Sequence, residues 1–248
     1  MRWRLGAMSV LSLSLGCAAG QKRPTMPQTS MQAVQYYPYQ VKGYQNLYPK
    51  RRAIVLPAID ARNFDGIATS DRQPDQGRPP IGVIVDGNGT TEQRLYGPPL
   101  AALTQDAIAR AAQEAGLNST EAALPLANAL AARDADYVIS AKIVRCWVRK
   151  TRGAARAAEA SWRSVADVAL DVAIYKPPFT VPFWQGQSAA VYNDPPPSVT
   201  GDVTNEVEIY EQPGEVLAVA LTRAVAGIFK RDDLYTLMTQ DAMRVRRQ

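Results

Sequence analysis

The 248-residue sequence contains no histidine and only two cysteines, Cys17 and Cys146. Histidine is the commonest general base near neutral pH and a frequent metal ligand. Its absence excludes Ser-His-Asp catalysis, Cys-His catalysis and zinc sites that use histidine. Carboxylate metal sites, Ser-Lys dyads and paired-carboxylate chemistry stay open. We predict no catalytic residue, no metal and no cofactor for this chain.

The sequence also has no apolar run long enough to cross a membrane, which takes about 20 residues. Residues 5–15 form a short uncharged apolar run, preceded by Arg2 and Arg4. A run of this length behind a basic start is typical of a signal peptide that is removed. No later run approaches spanning length, so we expect no other segment to enter the bilayer.

The formal net charge is only +5, and residues of neither charge are strongly clustered along the sequence. Nucleic-acid binding usually needs a clustered basic face, and we predict none here. The clearest basic cluster is Arg244, Arg246 and Arg247 at the C-terminus. A solvated tail is the first interpretation of this cluster, and contact with anionic lipid or cell wall is the alternative.

Small residues surround Cys17, in the segment Ser14-Leu15-Gly16-Cys17. The segment resembles the lipobox of bacterial lipoproteins, with Ser14 where that family usually has leucine. The resemblance implies cleavage before Cys17 and a lipid-anchored protein on the outer membrane, facing the periplasm. The alternative is an ordinary secretory signal and a protein without lipid. Cys146 lies in an apolar run and is predicted to be a buried thiol without a disulfide partner.

Residues 17–50 are rich in glutamine, proline, tyrosine and lysine and show no sustained period. We interpret them as a tether between the lipid and a folded domain. Several tyrosines in this segment could either lie on the domain surface or contact a partner or cell-wall sugars. They are Tyr36, Tyr37, Tyr39, Tyr44 and Tyr48.

The rest of the chain predicts an α+β domain at 51–230 and a C-terminal helix with a basic tail at 231–248. A mainly antiparallel sheet is expected to pack against two or three helices on one face. The alternation of apolar and polar residues is clearest at 161–175. Predicted strands lie at 51–62, 81–87, 136–148, 161–175 and 181–192, and predicted helices at 98–115, at 119–132, from Pro213 and from Asp232. The last three strands are expected to form an antiparallel meander.

Short local signals mark the ends of these elements. Asp86-Gly87-Asn88-Gly89 predicts a hairpin turn after the second strand. Gly116 predicts a C-terminal cap of the first helix, and Ser119 or Thr120 predicts the N-terminal cap of the second.

Five short sequence features lie along this order of elements. They are Cys17, Asp60-Ala61-Arg62, Ile81-Gly82-Val83, Gly87-Asn88-Gly89 and Ala115-Gly116-Leu117. Together they resemble the YajG-like bacterial lipoproteins and, more loosely, the auxiliary lipoproteins of ABC transport systems, over roughly residues 52–230. The resemblance implies an envelope lipoprotein without an established enzymatic role.

Asp60 and Arg62 stand two residues apart on a predicted strand, so their side chains share a face. We predict a structural ion pair between them, with a ligand site as the alternative. Asp167 and Asp171 also share a strand face, but their Cα atoms stand about 13 Å apart, too far for direct cooperation.

Three functions follow from these features, in descending order. The first is a non-enzymatic envelope lipoprotein that binds another envelope protein or the cell wall. The second is a periplasmic carrier of a small molecule or lipid, which needs an apolar pocket between sheet and helices. The third is an envelope glycan hydrolase, which needs two carboxylates about 5 to 10 Å apart in a cleft.

Overall fold

The computed structural model describes residues 28–30, 47–48, 50–74, 77–122, 134–152, 162–193 and 213–245. The strands in these ranges are β1 (Gln28–Ser30), β2 (Arg52–Val55), β3 (Ile59–Asp60), β4 (Gly82–Val85), β5 (Thr91–Tyr96), β6 (Asn118–Glu121), β7 (Tyr137–Arg152), β8 (Trp162–Tyr175) and β9 (Pro182–Asn193). The helices are α1 (Leu100–Glu114), α2 (Pro213–Phe229) and α3 (Asp232–Val245).

The three long strands β7, β8 and β9 form the antiparallel meander that the sequence predicts. Apolar residues at every second position of β8 turn inward, and they are at most 2% exposed. The residues between them are half-buried. One face of the meander therefore packs on the core, as a strict two-residue period requires. The inward residues are Val168, Leu170, Val172 and Ile174.

The prediction of a mainly antiparallel sheet needs correction for the other strands. The sheet is mixed, with both parallel and antiparallel pairs, and it is curled. β8 pairs with one edge of β7, and the short strands β2, β3 and β4 pair with its other edge in parallel. β6 continues the sheet beyond β2, and β5 and then β1 continue it beyond β4. Parallel neighbours need crossover connections, and α1 lies within those that join β2 to β6 and β2, β3 and β4 to β7.

The turn after β4 is a hairpin turn, as the sequence predicts. Asp86 Oδ1 accepts hydrogen bonds from the backbone N–H groups of Asn88, at 2.9 Å, and Thr90, at 2.7 Å. Gly89 adopts a positive φ of 84°, which glycine reaches without the steric cost of a Cβ. The turn therefore returns the chain as β5 beside β4.

The helices pack on the inner face of the sheet. α1 ends where Gly116 takes a φ of 108°, and the N–H of Leu117 donates to Ala112 O at 2.9 Å, which is a glycine C-terminal cap at the predicted residue. α2 is buried on almost every side, because it lies against β8, β9 and α1. Across the described ranges, no helix combines the length and the apolar character needed to cross a bilayer.

The helix predicted at 119–132 is wrong at its start, since residues 118–121 form β6 and pair in parallel with β2. Ser119 was expected to cap a following helix. Instead its hydroxyl donates to Ala109 O in the preceding helix at 2.6 Å, so a helix-capping residue type is used here inside a strand. Residues 123–133 lie outside the described ranges.

The boundaries predicted for the tether and the C-terminal tail also change. β1 lies inside the predicted tether and pairs with β5. Tyr48, predicted as a tether residue open to a partner, is only 4% exposed. Its hydroxyl donates to Phe229 O at 2.7 Å, and burial raises its pKa above the ordinary range. α3 belongs to the domain, because Leu234 and Met238 are fully buried in its core.

A buried polar contact fixes α3 to the meander. Tyr137 Oη donates to Asp241 Oδ2 at 2.8 Å, and Lys176 forms an ion pair with the other oxygen of the same carboxylate. Burial by itself would raise the pKa of Asp241, but the contacts with Lys176 and Tyr137 outweigh it and hold this pKa below the usual range. The carboxylate thus joins the start of β7, the end of β8 and α3.

We expect Asp241→Asn to destabilise the fold by about 2 kcal/mol at pH 7, because it leaves Lys176 without its partner; the exposure of Lys176 keeps the loss below that of a fully buried pair. A lowered folded-state pKa stabilises the protein above the unfolded-state pKa, about 3.9, and this stabilisation is lost as pH falls further. Urea unfolding at pH 7 and pH 3 should therefore show a gap between wild type and variant that narrows in acid.

The control is Asp106→Asn, which breaks the helical pair of Asp106 with Arg110 at 2.9 Å on the surface of α1. Such a pair contributes about 0.5 kcal/mol. Equal losses for the two variants, or a gap at Asp241 that does not change with pH, would show that Asp241 does not fix α3.

Candidate functional site: the open face of the meander

The open face is the surface of β7, β8 and β9 that points away from the helices. Its side chains stand in cross-strand rows, because the three strands are paired residue by residue. Four of these rows matter below. The tryptophan row, which lies toward one end of the open face, consists of Trp147, Asp167 and Val191. The alanine row next to it consists of Arg145, Ala169 and Ala189. Then come Lys142, Asp171 and Gln187, and after them Ser140, Ala173 and Gln185.

The tryptophan row contains a polar atom without a partner. Asp167 pairs with Arg145 through Oδ2 at 3.2 Å. Its Oδ1 is buried and has no hydrogen-bond donor among the described residues. Val191, beside it on β9, is 53% exposed. This row therefore combines an unsatisfied carboxylate oxygen with an exposed branched apolar side chain.

The predicted pair of Asp60 and Arg62 lies next to the tryptophan row. Arg62 donates through Nε to Asp60 Oδ1 at 2.8 Å and through Nη2 to Asp60 Oδ2 at 3.0 Å. Its Nη1 also donates to Pro80 O at 2.9 Å. The Arg62 side chain is only 2% exposed, so its donors are used inside the fold. The structure thus contains a bidentate ion pair that holds neighbouring segments together.

Arg62 also connects this pair to aromatic residues on the open face. The guanidinium carbon lies 5.1 Å from the centroid of the Phe64 ring. The Phe64 ring meets Trp147 edge-to-face, with centroids 6.1 Å apart. A cation over a ring face and an edge-to-face ring pair are both attractive arrangements. The contact with Phe64 therefore positions the Trp147 side chain, which is half-buried in the tryptophan row.

The other end of the open face forms a groove of about 460 Å³, within the size range of small-ligand sites. Small residues, Ser140 and Ala173, lie along the middle of the groove. Longer polar side chains and one ring surround them. The named groove residues are Ser140, Lys142, Asp171, Tyr175, Gln185 and Gln187.

A second groove, of about 440 Å³, lies where the chain enters the domain after Tyr48. Lys50, Arg51 and Arg52 line it on one side. Arg51 Nη1 donates to Asp136 Oδ1 at 3.2 Å, and the N–H of Arg52 donates to Asp136 Oδ2 at 2.9 Å. Asp136 thus neutralises part of the basic cluster and fixes the backbone there. We assign this groove a structural role at the entry of the chain.

The described ranges contain only some of the other predicted site residues. Cys17 lies outside the described residues, as do Tyr36, Tyr37, Tyr39 and Tyr44. Cys146 is a free, buried thiol, and burial raises its pKa to about 12, so it is unreactive at neutral pH. The described residues contain no group of three His, Cys, Asp or Glu side chains that could hold a metal ion.

No family model matches the sequence, and no curated protein matches it. Among solved structures, a Xanthomonas campestris protein of the DUF330 family has a TM-score of 0.43 at 13% identity, covering 88% of this chain and 99% of its own. A Helicobacter pylori homolog of a neuraminyllactose-binding hemagglutinin has a TM-score of 0.39 at 8% identity, covering 83% and 96%. Lipoprotein GNA1162 from Neisseria meningitidis has a TM-score of 0.24 at 14% identity, covering 62% and 88%.

Proposed function

We propose that the protein is an envelope lipoprotein, anchored through Cys17, that binds another envelope protein through the tryptophan and alanine rows of its open face. The observation that carries the binding role is the buried Asp167 Oδ1, which has no donor among the described residues. A buried acceptor without a partner costs about 1 to 3 kcal/mol. The Asp167 side chain as a whole is 36% exposed, so docking lets the carboxylate turn until Oδ1 accepts an N–H or O–H group of the partner, which removes that cost.

The surroundings of Asp167 suit a protein surface. The alanine row leaves a low area between Arg145 and the edge of the sheet, so that an opposing surface can come close. Val191 is exposed near the C-terminal end of β9, in the same cross-strand row as Trp147, and interface centres are typically apolar and rich in aromatic residues. Arg145, 53% exposed, supplies a charge at the rim.

The carrier alternative predicts an apolar pocket between sheet and helices. In the described ranges that layer is filled, because side chains from both sides are fully buried in one cluster. Leu170 of β8 and Leu217 of α2 are both 0% exposed. The two grooves described above lie on the surface. A surface binding role therefore fits the packing better than an internal carrier role.

The test is in vivo crosslinking followed by recovery of the protein and its partners, with two matched substitutions. We expect Val191→Arg to reduce the recovered partner by at least about tenfold, because a loss of about 1.4 kcal/mol already has that effect and a charge there meets a desolvated surface. Val181→Arg places the same charge at a residue that is 71% exposed and lies just before β9.

Recovery of the same partner with wild type and Val181→Arg, and its loss with Val191→Arg, supports the proposal. A partner recovered equally with both variants, or no partner recovered reproducibly with wild type, contradicts it.

A further inference from the structure

Beyond the proposed protein partner, we infer that the groove at the other end of the open face is a binding site for an uncharged sugar that carries acetamido groups. The assignment does not depend on the lipid or on the tryptophan row. It follows from the polar groups in the groove, from their balance of charge and from its shape.

The polar side chains of the groove are available to a ligand. Lys142 and Asp171 are direct cross-strand neighbours, yet no ion pair within 4.0 Å joins them in the described residues. Gln185 and Gln187 are exposed. The Gln187 side chain makes no hydrogen bond within the described residues, while its backbone pairs with β8 and its carbonyl accepts a weak 3.5 Å contact from Arg231. The side chains thus present donors and acceptors that the fold itself does not use.

The balance of charge selects against ionic ligands. The groove contains one cation, Lys142, and one carboxylate, Asp171, so that its net charge is zero. An anionic ligand would meet Asp171, and a cationic ligand would meet Lys142. Among the described residues, a single carboxylate, Asp171, lines the groove. The groove therefore lacks the acid and base pair that glycoside hydrolysis needs. Binding without hydrolysis is the chemistry that these residues support.

The combination of groups matches an acetamido sugar. A side-chain carboxamide has both a donor and an acceptor, so Gln185 and Gln187 can each pair with an acetamido group, which also has both. Asp171 accepts from sugar hydroxyls, and Lys142 donates to them. Tyr175 closes one end with an aromatic ring beside Pro182, and an aromatic ring provides apolar area together with a polar hydroxyl. The open shape of the groove admits a chain of sugar units.

The experiment uses the full chain, purified in a detergent without a sugar headgroup, and calorimetric titration with chitotriose, maltotriose and trialanine. Chitotriose carries acetamido groups, maltotriose carries only hydroxyls, and trialanine carries amides without a sugar. We expect saturable binding of chitotriose with a millimolar Kd or tighter, and affinities at least about tenfold weaker for the other two, a difference of about 1.4 kcal/mol.

Variants connect the binding to the groove. Gln187→Ala and Asp171→Asn should each weaken chitotriose binding at least about fivefold, while Asn193→Ala should leave it unchanged. Asn193 is exposed on the same strand but belongs to a row at the far end of the open face. Thermal melting confirms that the variants are folded, and sedimentation with purified cell-wall sacculi distinguishes polymeric glycan from free sugar.

No saturable chitotriose binding, equal binding of maltotriose or trialanine, or chitotriose binding that is insensitive to both groove variants would overturn the assignment. Because the titration involves neither the partner nor the tryptophan row, its failure leaves the proposed function standing. Loss of the crosslinked partner in the Val191→Arg experiment is equally independent of the sugar.

Discussion

Replacing Cys17 by serine should move the protein from the membrane pellet to the soluble fraction. Each buried CH₂ of an acyl chain contributes about 0.8 kcal/mol to membrane binding, and two or more chains hold a protein stably. Serine has no thiol to acylate, so that the whole contribution is lost. Fractionation of cells, combined with metabolic labelling by an alkyne analogue of palmitate, measures both the position of the protein and its modification.

The control uses the other cysteine of the chain. Cys146 is buried, and Cys146→Ala should keep both the label and the membrane position. A wild-type protein that fractionates as free material, with an unmodified N-terminus beyond residue 17, would falsify the lipid anchor. A Cys17→Ser protein that stays in the pellet would show that another feature holds the membrane.

Gly82→Ala should destabilise the fold by about 3 kcal/mol, the upper end of the usual cost of overpacking. Gly82 pairs with Val148 where β4 lies beside β7. A Cβ at Gly82 would come within 2.2 Å of Val148 O and 2.4 Å of Val148 Cγ1. Since one of these atoms belongs to the backbone of the central strand, the strands must separate. Urea unfolding followed by circular dichroism measures the loss.

Gly227→Ala is the matched comparison, because Gly227 also makes a close contact. A Cβ there would lie 2.6 Å from Ser188 Oγ, which can rotate away only by giving up its hydrogen bond to Ala224 O, at a cost of about 1 kcal/mol. Alanine also has a helix propensity better than that of glycine by about 1 kcal/mol, and Gly227 lies in α2. We expect a net change near zero. A larger loss at Gly227 than at Gly82 would contradict this account of β4.

The parts of the fold that follow from local sequence were predicted well. The period of Val168, Leu170 and Val172 depends only on which face of a strand is buried, so β8 and its neighbours could be located from the sequence. The cap at Gly116 is equally local, since the left-handed backbone there suits glycine. The hairpin turn at Asp86 follows from the residue types of the turn itself.

The parallel half of the sheet could not be predicted in the same way. β2 and β4 have four residues each, too few for a clear period, and their partner β7 lies far along the chain. β6 was mistaken for a helix start, because Ser119 bonds back to Ala109 in α1 and not forward. Parallel pairing is decided by contacts distant in sequence, which local propensity does not contain.

The open face could also be predicted only in part from the sequence. Asp167 and Asp171 were correctly placed on one strand face, but their partners on β7 and β9 come from the register. Trp147 was one of several aromatic residues, and only the position of Phe64 shows how it is held. The alternation at residues 185–193 was the available signal, since its polar and small residues mark a face that points away from the helices.

The position of β1 limits how far the domain can stand from the lipid surface. Only 11 peptide links separate Cys17 from Gln28, the first residue paired with β5, and they reach at most about 40 Å. The strands from β1 through β5, β4, β7 and β8 to β9 add roughly 25 Å at the usual strand spacing. With a lipid on Cys17, the tryptophan row would therefore lie within about 65 Å of the bilayer, and the proposed partner would have to be present in that layer.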